Sequence, residues 1–189
     1  MAEFLGDAAD EFADHSNNDF ALPATKENKA IFAAVLRHRG KHGPLTVEGI
    51  MAATDEVFVY DDWAMRYFAQ RCEERLKKGA APLTPAEFNA IAQLLESVAL
   101  WHEDTSEDVC YDLTFPATRA NKALMAAVVQ HRQSVADGAP GVAETASAAL
   151  KVITASRSKK DEIDLPDFWI LSYLAHRCRQ LAGLNASAV

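Results

Sequence analysis

Apolar residues recur at three- and four-residue spacing along most of this chain, the interval that gathers side chains on one face of an α-helix. The stripes Ile31, Ala34, Val35 and Met65, Phe68, Ala69, Cys72, Leu76 are examples, the second matched by Leu171, Leu174, Ala175, Cys178 and Ala182. The pattern predicts helices near residues 2–14, 25–39, 46–54, 61–78, 84–102, 118–133, 141–157 and 165–183, and it predicts no strand. Thr25, Thr84 and Thr118 suit N-caps, Pro85 suits a first helical position, and Gly40, Gly79 and Gly183 follow the expected ends. Composition points the same way. Thirty-five alanines against eight glycines and seven prolines favour helix, because Ala loses no side-chain entropy there.

The chain also repeats itself. Residues 20–39, from Phe20 to Arg39, align without gaps to residues 113–132, from Leu113 to Arg132, with eleven of twenty positions identical at an offset of 93. Asp61, Trp63, Tyr67, Ala69, Arg71 and Cys72 recur as Asp167, Trp169, Tyr173, Ala175, Arg177 and Cys178 at an offset of 106. The second copy is therefore longer by 106 − 93 = 13 residues between its matched segments. A weaker echo relates Ala2-Glu3-Phe4 to Ala86-Glu87-Phe88. The expectation is an all-α bundle of about eight helices, built from two tandem copies of a roughly four-helix unit with pseudo-two-fold symmetry. The copies would span residues 1–80 and 81–189. The joint Lys77-Lys78-Gly79-Ala80-Ala81-Pro82 is too short for a free linker, so they are expected to pack as one integrated domain.

Charge narrows the function. Nineteen Lys and Arg against twenty-seven Asp and Glu leave a net charge of −8, which argues against nucleic acid as a partner. No apolar run is long enough to span a membrane, and the first residues lack the basic start and apolar stretch of a secretory signal; the cytoplasm is the expected location. The acids cluster. Residues 1–20 hold Glu3, Asp7, Asp10, Glu11, Asp14 and Asp19, residues 103–112 hold Glu103, Asp104, Glu107, Asp108 and Asp112, and neither stretch has a Lys or Arg. Two such patches would attract a basic protein partner and speed its encounter.

The repeated aromatic and basic residues are the first site candidates. Trp63, Tyr67 and Arg71 step by four along a helix, as do Trp169, Tyr173 and Arg177. These residue types dominate interface hot spots, and they serve equally well as a core edge closed by an Arg. A second constellation, His38-Arg39 and His131-Arg132, ends two apolar stripes; it could line a small-ligand pocket between the copies, with Arg as bidentate donor to an anion. Placement in the last helical turn explains the same histidines through the macrodipole. Asn28-Lys29 and Asn121-Lys122 open their helices, and each Lys is expected to pair with an acid such as Asp19 or Asp112.

No catalytic constellation is predicted. Cys72 and Cys178 read as core thiols, Cys110 lies among acids that would raise its pKa, and the three lack disulfide or zinc spacing. Phosphate-loop and hydrolase motifs are absent, and no cofactor or metal is expected. The leading expectation is a non-enzymatic interaction protein (an adaptor, inhibitor or regulatory subunit) that binds a protein partner through acidic and aromatic surfaces. The alternatives are a small-ligand-binding protein or enzyme using the His-Arg pocket, and a homodimer closing over the Trp stripe.

Overall fold

The computed structural model describes residues 5–7, 9–10, 19–42, 50–52, 55–105, 112–135, 141–156, 158 and 161–183. Within them the chain is predominantly helical, with two small antiparallel sheets. The helices are α1 (Lys26–His42), α2 (Asp61–Arg75), α3 (Pro85–Thr105), α4 (Arg119–Val135), α5 (Val142–Ala155) and α6 (Asp167–Leu181). Residues 5–7 and 9–10, inside the stretch expected to be the first helix, are helical too.

The strands correct the sequence expectation. They are β1 (Asp19–Pro23), β2 (Ile50–Ala52), β3 (Glu56–Tyr60), β4 (Asp112–Pro116) and β5 (Glu162–Pro166). The helix expected at 46–54 is absent at its described core, where Ile50–Ala52 pairs antiparallel with β3; positions 46–49 and 53–54 lie outside the described residues. The physical reason lies in the residues. Glu56-Val57-Phe58-Val59-Tyr60 is a run of β-branched and aromatic types, which pack well on a pleated surface. In β5, Ile163 and Leu165 are buried while Glu162 and Asp164 are exposed, the period of two that a half-buried strand requires.

Both copies of the repeated sequence use the same strand–helix order and the same register. In β1 against β3, Asp19 faces Tyr60 and Pro23 faces Glu56; in β4 against β5, Asp112 faces Pro166 and Pro116 faces Glu162. These are the residues related by offsets of 93 and 106. The thirteen-residue difference falls between the matched helix and the second matched strand, where the first copy carries β2 and the second carries α5.

Repeated polar residues tie each first strand to its helix. Asn28 Nδ2 donates to the Pro23 carbonyl at 2.8 Å, and Asn121 Nδ2 donates to the Pro116 carbonyl at 2.9 Å. Thr25 and Thr118 accept from the Asn28 and Asn121 amides at 3.2 Å each, so both threonines cap as expected. At the second junction there is no loop. Tyr60 and Pro166 lead directly into Asp61 and Asp167, whose buried carboxylates sit at the positive end of the helix dipole.

The chain divides into two compact units, residues Met1–Leu94 with Arg177–Val189, and residues Leu95–His176, so the divisions fall inside α3 and α6. The first unit buries Phe20, Leu22, Val35, Val59, Trp63, Met65, Phe68 and Ile91. The second buries Val98, Met125, Val128, Val129, Ile163, Leu165, Trp169 and Ile170. Leu76, expected on the buried face of its helix, lies just beyond Arg75 at the C-cap and is 88% exposed.

Candidate functional site

The two indoles are core residues. Trp63 and Trp169 are each 4% exposed. In the first unit the Arg39 guanidinium lies over the Trp63 ring, 5.2 Å from its centroid, and Tyr60 meets the same ring edge-on at 5.2 Å. A buried ring facing a cation gains from the ring quadrupole, which accounts for Arg39 in the first copy. In the second unit Arg132 occupies the corresponding place but lies over Phe168, at 5.3 Å.

Tyr67 and Arg71 meet at a carboxylate that spacing along their own helix could not reveal. Arg71 Nε donates to Glu87 Oε1 at 3.0 Å, and the Tyr67 hydroxyl donates to the same oxygen at 3.5 Å. The other oxygen, Oε2, accepts from the Thr84 amide at 2.8 Å, while the Glu87 amide donates to Thr84 Oγ1 at 3.2 Å. This is a reciprocal capping box at the start of α3. Burial pushes the Glu87 carboxyl up, but the Thr84 amide and the Arg71 guanidinium outweigh it and hold the group below the usual carboxylate range. A sequence signal existed, because Thr84-Pro85-Ala86-Glu87 has the Thr-x-x-Glu spacing. The pair across to Arg71 had none.

The second copy has diverged at these positions. Arg177 is exposed and donates to Gln180 Oε1 at 2.5 Å. Tyr173 meets His131 edge-on at 5.9 Å, and His131 stacks on His176 at 4.7 Å with Nε2 3.3 Å from Ser172 Oγ. Burial, with the neighbouring His176 and Arg132, lowers the His131 pKa and favours the neutral ring. Of the repeated lysines, Lys122 donates its Nζ to the Ser156 carbonyl, where an acid such as Asp112 is expected from the sequence.

His38 shares its counterpart's edge-on tyrosine contact, with Gln70 where the second copy has His176. It meets Tyr67 edge-on at 5.9 Å and lines a cleft of about 240 Å³ between α1 and α2, inside the first unit. The walls are Ala34, Arg37, His38, Lys41, Tyr67, Gln70, Arg71 and Glu74; Arg39, turned to the indole, is not among them. Glu74 accepts from Gln70 at 2.8 Å and lies 3.5 Å from Arg71 Nη1. Among the described residues neither Arg37 nor Lys41 forms an ion pair. A larger hollow of about 490 Å³ lies along α5, lined by Ser147, Leu150, Lys151, Thr154 and Ala155, and holds a single charged group.

The surroundings of the two described thiols favour the protonated form. Neither Cys72 nor Cys178 is in a disulfide; burial raises both pKa values, that of Cys178 to about 12. Cys110 lies outside the described residues. No cluster of three metal-ligating side chains occurs among the described residues, and no helix among them is long and apolar enough to cross a membrane. No family model, no curated protein and no solved structure matches this chain.

Proposed function

We propose that the protein is a non-enzymatic interaction protein of the cytoplasm, built as a tandem duplication with pseudo-two-fold symmetry and engaging a basic protein partner through its two acidic stretches. The observation that carries this reading is the equivalence of Asp19 and Asp112. Each ends an acidic stretch and opens the first strand of its copy at the same register position. Two acidic segments thus enter the fold at matching points, a repeated source of the field that steers an oppositely charged partner. The burial of Trp63 and Trp169 supports assigning the Trp-Tyr-Arg stripes to the cores, leaving charge as the recognition element.

Affinity capture from native cytoplasm at low and high salt tests the proposal, alongside a variant with Glu103, Asp104, Glu107 and Asp108 changed to Gln or Asn. A stoichiometric basic protein that salt releases and the variant fails to retain is the expected result. A monomer recovered alone at both salts, or a homodimer indifferent to charge, overturns it. The small-ligand reading keeps one specific support, the cleft between α1 and α2.

A further inference from the structure

The cleft between α1 and α2 reverses the charge of the molecule locally. The whole chain carries −8, yet the cleft walls present Arg37, Lys41 and Arg71 against one carboxylate, Glu74. Arg71 is held by Glu87 through Nε and approaches Glu74 through Nη1. The cations of Arg37 and Lys41 have no such acid among the described residues. They lie four apart on α1, so they share a face, with His38 between them and Gln70 and Arg71 opposite on α2.

We infer that this cleft binds the phosphate group of a small phosphorylated molecule. The inference rests on the ligand reading of the cleft and not on the partner reading. Arg37 and Lys41 on α1 face Arg71 on α2, whose Nε and Nη1 are turned to Glu87 and Glu74 but whose charge remains in the wall; cations on two sides suit a tetrahedral oxyanion, which accepts in several directions at once, whereas a planar carboxylate is satisfied by one bidentate Arg. Arg37 supplies a guanidinium fork, Lys41 a point charge, and Gln70 and His38 lie alongside. The Tyr67 ring, seated against His38, offers a flat apolar wall to the body of the ligand. The volume limits that body: about 240 Å³ is below the roughly 300–1,000 Å³ of drug-sized pockets, so the ligand is small.

The second copy lacks this chemistry, which confines the site to one half. At the matching positions it carries Gln130 for Arg37, Ser134 for Lys41 and His176 for Gln70. In place of separated cations it has the His131–His176 stack.

Titration of the full chain with inorganic phosphate, glycerol phosphate, acetate and glycerol, followed by amide chemical shifts, tests the assignment. The expected result is saturable shifts confined to residues 34–41 and 67–74, with glycerol phosphate binding at least as tightly as phosphate. Arg37→Gln with Lys41→Gln should weaken binding at least about tenfold, because two charge-assisted contacts are lost. Both side chains are exposed, so the variant keeps its fold. Lys151→Gln, in the hollow along α5, should leave the affinity unchanged. Tighter saturable binding of acetate or glycerol at the same residues overturns the phosphate assignment and leaves the cleft a ligand site. Saturable shifts from none of the four, or binding unaltered by the double variant, overturn the site itself.

Discussion

Glu87 shows how one side chain can serve two structural purposes. Its Oε2 closes the capping box with Thr84 while Oε1 takes the Arg71 guanidinium, and the residue is 6% exposed. Glu87→Gln leaves Arg71 only the more exposed Glu74, 3.5 Å away, as a charge partner and should cost about 1–2 kcal/mol at pH 7 by urea unfolding. The pH dependence has a defined sign. The folded pKa lies below the unfolded value, so the carboxylate contributes stability above about pH 4.3 and loses it as pH falls through the folded value. The gap between wild type and variant should therefore close in acid; an equal gap at pH 7 and pH 3 would contradict the depressed carboxylate. Trp63→Ala and Trp169→Ala should each cost about 3–5 kcal/mol, as expected for indoles in a core. Near-normal stability with lost association would instead return the stripe to the surface.

At the scale of elements, the repeated Asn holds each first strand against its helix. The two sites differ in burial, Asn28 being 8% exposed and Asn121 half-buried. Asn28→Ala removes one of two bonds to the Pro23 carbonyl, which keeps the Thr25 amide at 2.7 Å, in a drier setting and should cost about 1 kcal/mol, Asn121→Ala less. Thermal unfolding of the single variants reads the difference directly, and equal losses would show that burial does not set the cost. The helices were legible in the sequence because their periods run for many turns, and six of the predicted segments match α1 to α6 within a few residues. The strands escaped because each is only three to five residues long, too short for its apolar positions to separate strand from helix; only pairing, as in Phe20 against Val59 or Phe115 against Ile163, selects the extended form.

At the scale of the molecule, the end of the chain belongs to the first unit. Residues Arg177–Val189 group with Met1–Leu94, and Cys178 is fully buried. Deleting residues 177–189 should lower hydrogen-exchange protection of α1 and α2 more than that of α4. Loss confined to α4, or equal in both units, would refute that division of the chain. The duplication does not map simply onto the two units, since the second copy's last helix begins in one and ends in the other.

The sequence by itself determined the six long helices, the repeat, the caps at Thr25, Thr84 and Thr118, and the acidic balance, because each is written in local spacing or in a sum over residues. Tertiary structure decided what the repeated side chains do. Trp63 and Trp169 became core, Arg71 found Glu87 sixteen residues away, and His38 came to a cleft whose cations are Arg37 and Lys41 while Arg39 turned to an indole. Helical periodicity places a residue on a face, but only the partner packed against that face sets its burial, its charge partner and its access to a ligand.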